Sequence, residues 1–406
     1  MAQKRRSRTN VPKQQRRRRR RPAVQRYYDY NLLASVILLT CFGLVMLYST
    51  SAYEAQVEHG SDMFYFGKQA AISAACLVAV LIFSQIDYHI YAKFATALYI
   101  VSNVLLVATK FIGREINGAK RWIYFGPISF QPAELGKLSL ILFLACVIVK
   151  IGGRKMRGWR APAIILGLGG ITAFFTYYFT QNMSTAIIMA GITGIMLFVA
   201  HPKTVPFLAA VGAVLVMAAG VVFYVATNAA SGTFRLRRVL VWLDPEAYAS
   251  WGGYQVMQGL YAIGSGGFFG KGLGNSTQKL GAVPEAQNDM IFSIVCEELG
   301  VFGAAMLTIL FVFLLYRLLF IAQNAPDLLG SLIATGIFAH IALQVVLNMA
   351  VVLNMIPTTG VTLPFVSYGG TSILFLMAEM TLALSVSRQI KFKEQEEGKR
   401  SLTRTA

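Results

Sequence analysis

Ten apolar stretches, each long enough to cross a lipid bilayer, constrain the fold of this chain more than any other feature. A helix of about 20 apolar residues spans the hydrocarbon core because it satisfies its backbone hydrogen bonds internally. With 56% hydrophobic and 14% charged residues, the chain is too apolar for a water-soluble domain. The sequence predicts an all-α integral membrane protein with about ten transmembrane helices. The apolar stretches cover residues 31–50, 66–84, 92–110, 133–151, 162–180, 184–201, 205–227, 291–322, 329–354 and 367–387.

The N-terminal tail sets the expected orientation in the membrane. Its first 26 residues carry twelve cations and no acid, and so supply most of the net charge of +19. Such density predicts a disordered cytoplasmic tail, residues 1–29, beside anionic lipid headgroups. An even number of spans in the membrane domain, residues 30–388, returns the tail 389–406 to the cytoplasm. No aromatic interleaving accompanies the basic residues, so nucleic acid is not an expected partner.

A short loop, residues 111–132, breaks the expected charge distribution. It falls on the predicted outer side yet carries Arg114, Lys120 and Arg121. Cations on the disfavoured side indicate an anionic ligand, although short outer loops also tolerate a few charges without one.

The longest outer segment, about residues 228–290, connects predicted helices 7 and 8. It carries Arg235, Arg238 and a glycine-rich stretch from Gly264 to Gly281. The glycines do not fit a nucleotide-binding P-loop, because Lys271 is followed by glycine where Ser or Thr is needed. We expect a flexible, cationic loop suited to wrapping an anion, with simple turns between short interfacial helices as the alternative.

Four acidic side chains, Glu285, Asp289, Glu297 and Glu298, lie at the mouth of the eighth apolar stretch. Carboxylates at that depth are expensive and indicate a site, unless they are paired structural charges. Adjacent Glu297 and Glu298 are expected to face different directions, so one is assigned to a structural cation and the other is left open. The cysteines and histidines show no metal-ligand spacing, and no metal site is predicted from them.

Three separated motifs resemble the SEDS family of shape, elongation, division and sporulation proteins (FtsW, RodA, SpoVE). NGAKRW from Asn117 is followed by QPAELGKL from Gln131. The second motif is GYQVMQGLYAIGSGGFFGKGLGNSTQKL from Gly253, running into PEAQND. The third is NMIPTTGVTLPFVSYGGTS from Asn354. The likeness covers about residues 30–388, and it is closest to the division and sporulation type.

This resemblance implies a glycosyltransferase that polymerises lipid II, a disaccharide-pentapeptide on undecaprenyl pyrophosphate, at the outer face of the bacterial cytoplasmic membrane. It implies that Asp289 is the family's essential aspartate, Lys137 its membrane-edge lysine, and Arg121 and Arg238 arginines of its outer loops. It also implies a class B penicillin-binding protein and other division proteins as partners, at the division septum. The chain departs from the family where Gln181 is followed by Asn182 and Met183 rather than by proline and aspartate.

The residue chemistry fits this activity independently. A sugar hydroxyl that attacks an anomeric carbon needs a general base, and Asp289, at a predicted loop-to-helix junction, is the candidate. A departing pyrophosphate needs cations, and a divalent cation, Mg²⁺ or Mn²⁺, is left open as an assistant. Glu134 and Lys137 share a helix face, so a structural ion pair is the alternative there. The residues predicted to contact substrate are Lys120, Arg121, Gln131, Glu134, Lys137, Arg235, Arg238, Lys271 and Ser367. Ser367 is expected mainly to shape a re-entrant turn.

Two other functions fit a polytopic protein with buried charges. One is a flippase that moves lipid II across the bilayer, although the motifs cluster on the outer side and no repeated pair of broken helices is visible. The other is a scaffold that only recruits cell-wall synthases.

Overall fold

A computed structural model describes residues 27–116, 118–126, 128–227 and 234–391, and within these ranges the chain is mainly helical. Nine of the helices described are long and apolar enough to cross a membrane. The prediction of an all-α, multi-span membrane protein is therefore confirmed. These nine are α1 (Tyr30–His59), α2 (Phe64–Phe83), α4 (Ala95–Ile112), α7 (Arg160–Phe179), α8 (Met183–Ala200), α9 (Val205–Thr227), α12 (Ile291–Asn324), α13 (Leu328–Val352) and α14 (Gly370–Ser387).

A tenth long helix, α5 (Pro132–Ile151), coincides with the remaining apolar stretch and carries Glu134 and Lys137 in its first two turns. The other helices are short: α3 (Tyr88–Lys93), α6 (Gly153–Met156), α10 (Phe234–Leu243), α11 (Gly253–Gly266) and a 3-10 turn at Ala249–Trp251. The core lies around α13, which packs against α5, α8, α12 and α14. By contrast, only Val225 of α9 is buried.

A small antiparallel sheet, absent from the sequence prediction, follows α4. Its strands β1 (Arg114–Ile116), β2 (Ala119–Phe125) and β3 (Ile128–Phe130) lie in chain order. Alternate residues of a strand point to the same face, so Arg121 shares a face with the buried residues Ala119 and Ile123. The sheet therefore turns Arg121 towards the protein.

Helix α12 is broken at Gly300, whose backbone has φ 66° and ψ −165°. Residues 267–272, which we call the splice segment, enter the break. The N–H groups of Val301 and Phe302 donate to the carbonyls of residues 267 and 268, each at 3.0 Å. In return, the N–H groups of Lys271 and Gly272 donate to the carbonyls of Glu297 and Glu298 at 2.9 and 3.0 Å. The break divides the long eighth apolar stretch into two helical parts.

The splice segment also changes the interpretation of the glycine-rich stretch. We expected a flexible loop with exposed backbone, but the amides of Lys271 and Gly272 are committed to the carbonyls of α12. Gly270 has φ 80°, and a Cβ there would lie 2.2 Å from the carbonyl oxygen of Glu298. Only glycine fits so close an approach of two backbones.

Both described ends of the chain lie at the same end of the helical bundle. The N–H of Tyr27 donates to the carbonyl of Ile390 at 3.3 Å, and Arg317 of α12 binds Asp29 at 2.7 Å. Helix α1 then rises for 25 residues, about 38 Å at 1.5 Å per residue, before Glu54 accepts a hydrogen bond from Gln287. Residues around 287 thus occupy the opposite end. Of the predicted tails, residues 1–29 and 389–406, only 27–29 and 389–391 lie within the described ranges.

One pH-dependent contact holds α3 to the start of α13. His89 contacts Asp87 at 2.7 Å and Asp327 at 2.8 Å, and Asp327 caps α13 by accepting the N–H of Gly330. Burial opposes protonation of His89, but the hydrogen bonds and charges of the two aspartates raise its pKa. A raised folded-state pKa stabilises the fold at low pH, and this contribution is lost as the pH rises through that pKa.

We therefore expect His89→Gln to lower the thermal unfolding temperature in detergent at pH 6 more than at pH 9. The loss should not exceed about 1 kcal/mol, because solvent screens these half-exposed side chains. His201→Gln is the control, since the ring of His201 contacts only the backbone of Lys203 among the hydrogen bonds described. An equal loss at both pH values for His89→Gln would contradict the assignment.

Candidate functional site

Asp289 lies in the loop immediately before α12, and three elements converge on it. The side-chain amide of Asn348 in α13 donates to the carbonyls of Asp289 and Val361 at 2.8 and 2.7 Å. The amide of Gln255 in α11 approaches the Asp289 carboxylate at 3.5 Å. Asp289 is partly exposed. Its backbone is therefore fixed by α13, while its carboxylate is held only weakly.

The third element is the segment between α13 and α14, residues 353–369. Ser367 donates its hydroxyl to the carbonyl of Asn288 at 2.6 Å and accepts the N–H of Leu363 at 2.8 Å. The N–H of Tyr368 donates to the carbonyl of Gln287 at 2.9 Å. Ser367 thus holds the turn that carries Asp289, in keeping with its predicted role in shaping a turn. Its contact with substrate stays a prediction.

The surroundings of Asp289 raise its pKa to about 7. The largest cause is burial, which disfavours the charged carboxylate, and the neighbouring Glu285 carboxylate acts in the same direction. A backbone hydrogen bond and the guanidinium of Arg238 oppose the rise. A carboxyl group with this pKa exchanges a proton readily at neutral pH, as a general base must.

Two arginines face one another beside this carboxylate. Burial lowers the pKa of Arg121, and the charge of Arg238 lowers it further, so the two guanidinium groups lie within repulsive range. Arg121 donates to the carbonyl of Gln181 at 3.4 Å, while its buried Nε has no hydrogen-bond partner in the described part of the chain. Arg238 donates to the carbonyl of Thr358 at 3.1 Å. Neighbouring guanidinium groups suit a ligand of high negative charge.

Gln181 belongs to the segment in which the chain departs from the family pattern. It has φ 52°, and Asn182 after it caps α8 by accepting the N–H of Thr185 at 3.1 Å. The asparagine thus begins the helix at the point where the family's Pro-Asp pair would stand, and the carbonyl before it holds Arg121.

Lys137 and Glu134 form a buried ion pair at 2.9 Å, as the alternative interpretation of their spacing proposed. Only 2% of the Lys137 side chain is exposed, and its Nζ also donates to Gln344 at 3.2 Å. Ser372, at the start of α14, donates to the other oxygen of Glu134 at 3.3 Å. These partners place Lys137 in a buried polar cluster between α5, α13 and α14. Direct contact of either residue with a phosphate stays a prediction.

The remaining predicted contact residues are more scattered. Lys120 is partly exposed, with its Nζ 3.5 Å from the carbonyl of Lys110. Gln131 is the N-cap residue of α5 without a capping side-chain bond. Lys271 is paired with Glu297. Arg235 lies in α10, but its side chain is outside the described set. Their roles at the site stay predictions.

One of Glu297 and Glu298 was assigned to a structural cation and the other was left open, and each of them pairs with its own lysine. Glu297 pairs with Lys271 at 2.7 Å and Glu298 with Lys279 at 2.8 Å. Both carboxylates therefore bind one loop, because the residues after α11 wrap around the N-terminal half of α12. Both are structural partners of cations.

Sequence reasoning missed the polar face of α13. His340, Gln344 and Asn348 are four residues apart and therefore lie along one side of the helix. Gln344 joins Lys137 to His340, which contacts Glu379 of α14 at 2.8 Å. His340 is thus hydrogen-bonded in the core. Three polar residues at this spacing in an apolar helix were the signal. Among the described residues, no group of three His, Cys, Asp or Glu side chains could hold a metal ion.

Comparison with known proteins gives consistent matches over most of the chain. A profile of the FtsW/RodA/SpoVE family, described as "Cell cycle protein", matches residues 29–392. A protein of Geobacter sp. (strain M18) named "Probable peptidoglycan glycosyltransferase FtsW" is 34% identical over 370 residues, which cover 90% of this chain and 98% of the relative. The "Stage V sporulation protein E" of Bacillus subtilis (strain 168) is 35% identical over 366 residues, covering 90% and 98% of the two chains.

Two solved structures share the fold. A chain from a study of "polymerization and crosslinking by a peptidoglycan synthase complex" superposes with a TM-score of 0.73 at 29% identity, over 89% of this chain and 98% of the other. The rod shape determining protein RodA of Thermus thermophilus superposes with a TM-score of 0.62 at 26% identity, over 90% and 98% of the two chains.

Proposed function

The chain belongs to the FtsW/RodA/SpoVE family and is a peptidoglycan glycosyltransferase, and from that premise we propose that it polymerises lipid II with Asp289 as the general base. The observation that carries the proposal is a carboxyl group with a pKa of about 7 near Arg238, whose guanidinium group lies in turn near that of Arg121. In the proposed substrate cleft, Asp289 takes a proton while the two arginines stabilise a departing anion.

The reaction joins two lipid-linked units. The hydroxyl oxygen of the acceptor sugar attacks the anomeric carbon of the donor, and its proton passes to the Asp289 carboxylate. The bond between that carbon and the pyrophosphate oxygen breaks, and undecaprenyl pyrophosphate leaves with the bonding electrons. Inversion at the anomeric carbon needs one base, and a pyrophosphate leaves without help from an acid. A second catalytic carboxyl group is not required.

Arg121 and Arg238 are assigned to the leaving group. Negative charge grows on the bridging oxygen as the bond breaks, and fixed guanidinium groups stabilise that charge without reorganisation. The spare Nε donor of Arg121 fits this role. A Mg²⁺ or Mn²⁺ ion held by the pyrophosphate itself would act in the same place.

The chain is a multi-pass membrane protein, and one structural relative comes from a peptidoglycan synthase complex. We assign it to the cytoplasmic membrane at the division septum, with a class B penicillin-binding protein as cross-linking partner and other division proteins nearby. The pair would form through lipid-facing helices and outer loops. Co-purification that survives deletion of the partner's transmembrane helix would contradict this mode of assembly.

The pH dependence of glycan formation tests the role of Asp289. Since the base acts in its deprotonated form, kcat should rise with pH through about 7 and fall about tenfold per unit well below it. Glu285→Gln removes a negative charge that raises the pKa of Asp289, so the acidic limb of the profile should move to lower pH. Glu246→Gln, an exposed acid that does not act on Asp289, is the control. A profile without an acidic limb near pH 7, or one that Glu285→Gln leaves in place, would refute the assignment.

A further inference from the structure

The buried carboxylates of Glu297 and Glu298 are not used by the proposed chemistry, yet each is surrounded by donors. Glu297 accepts from Lys271 at 2.7 Å and from the backbone and hydroxyl of Thr277 at 3.2 and 3.1 Å, and its second oxygen accepts from Ser276. Its side chain has no exposed surface. All of these donors come from the splice segment and the loop that follows it.

Glu298 extends the same network to α1. It accepts from Lys279 at 2.8 Å, from Ser49 of α1 at 2.7 Å and from the N–H of Ser276 at 3.4 Å. Lys279 also donates to Ser49 at 2.9 Å and to the carbonyl of Gly274 at 2.8 Å. The two carboxylates, with Lys271, Lys279 and Ser276, are called the carboxylate clamp below.

The clamp lies at one end of a stiff unit whose other end carries Asp289. Residues 291–299 form the N-terminal half of α12, and Asp289 lies two residues before it. Helix α11 packs along this half so closely that a Cβ on Gly266 would lie 2.0 Å from the carbonyl oxygen of Cys296. At the other end, Gly259 faces the side chain of Met290. Movement at the clamp is therefore transmitted to the turn that bears Asp289.

Stability alone does not account for two buried ion pairs. The desolvation of buried charges offsets most of their attraction, and well-packed apolar side chains stabilise a fold equally well or better. Charged partners do, however, specify one arrangement of the loop, because a shift of the loop would leave a buried carboxylate without donors. Two such pairs on one loop, next to the break in α12, therefore fix the position of this loop relative to α12.

We infer that Glu297 and Glu298, each with its lysine, are positioning residues that fix the N-terminal half of α12 and so set the place of Asp289 in the cleft. The inference rests on the proposed role of Asp289. None of the clamp residues contacts the reacting atoms. They act on the geometry of proton transfer, because a displacement of about 1 Å at an active site lowers the rate roughly a hundredfold.

The test is the kinetics of lipid II polymerisation by the full-length Lys279→Met protein. In this variant Glu298 keeps only uncharged donors. We expect kcat to fall by about tenfold to a hundredfold with little change in KM. The acidic limb of the kcat profile should also move to lower pH, because a loosened turn admits water to Asp289. The groups that face Asp289 are Glu285 of its own loop, Arg238 of α10, and the amides of Gln255 in α11 and Asn348 in α13.

Lys271→Met, at a more exposed position of the clamp, carries the same expectation if Lys279→Met does not fold. Lys93→Met, an exposed lysine of α3, is the control and should match the wild type. Wild-type kcat and pH profile in a folded clamp variant would overturn the inference. So would a loss of rate that equals the loss of folded protein while the acidic limb stays in place. Absence of polymer from the wild type would instead refute the proposed function.

Discussion

Replacing Asp289 by Asn is expected to lower the rate of glycan polymerisation by about 10²-fold to 10⁴-fold, the usual contribution of a general base. Asparagine has nearly the same shape but cannot accept the proton of the attacking hydroxyl. Because the loop is held through its backbone, by Asn348 at the carbonyl of residue 289 and by Ser367 at that of Asn288, the substitution leaves its anchors in place.

The fold of Asp289→Asn should be intact. The pKa of Asp289 is raised above that of an unfolded chain, so its ionised form destabilises the fold as the pH rises towards 7. A neutral amide removes this penalty, and thermal unfolding at pH 8 should occur at the wild-type temperature or above it. Asp62→Asn, at the turn between α1 and α2, is the matched control and should keep full activity. More than a tenth of wild-type kcat in folded Asp289→Asn would contradict the role of base.

Arg238→Gln should have the second largest effect, a fall in kcat of about tenfold to a hundredfold, as expected for loss of one charge-assisted contact to a phosphate. It should also move the acidic limb to higher pH, because the positive charge of Arg238 lowers the pKa of Asp289. Arg121→Gln should lower kcat similarly without that shift in the profile.

Arg237→Gln provides the control for Arg238. Arg237 is the adjacent residue of α10 but is exposed and stacks on the ring of Trp251, 4.5 Å from its centroid. Its removal should leave both kcat and the pH profile unchanged. Equal effects at the two positions would indicate loss of the helix rather than loss of an anion site, and unchanged kinetics in Arg121→Gln and Arg238→Gln would remove both from the cleft.

The membrane architecture could be predicted because the ten apolar stretches depend only on hydropathy and length. The sheet at β1–β3 was missed because strands of three and seven residues between transmembrane helices give a weak alternating signal. The break at Gly300 was equally hidden, since a single glycine between Leu299 and Val301 does not by itself indicate a break in a helix. Because this break was not predicted, the contact between the glycine-rich stretch and α12 was not predicted either, and the stretch was expected to be a flexible loop.

The candidate site was predicted in its charges but not in its supports. Asp289, Arg121 and Arg238 are conspicuous in an apolar chain, and the structure brings them together. Gln344 and Asn348 are uncharged residues that support the site. Their only signal in the sequence was their spacing along α13. Lys137 and Glu134 show what the sequence could not predict. Their shared helix face predicts an ion pair, but the burial of that pair depends on the packing of α5 against α13 and α14.

The central claim is tested most directly by incubating the purified protein with labelled lipid II in membranes, alone and with a class B penicillin-binding protein, and measuring glycan chains. The wild type should form polymer, and folded Asp289→Asn should form none above background. Equal polymer from both proteins, or none from the wild type where a control synthase is active, would contradict the account.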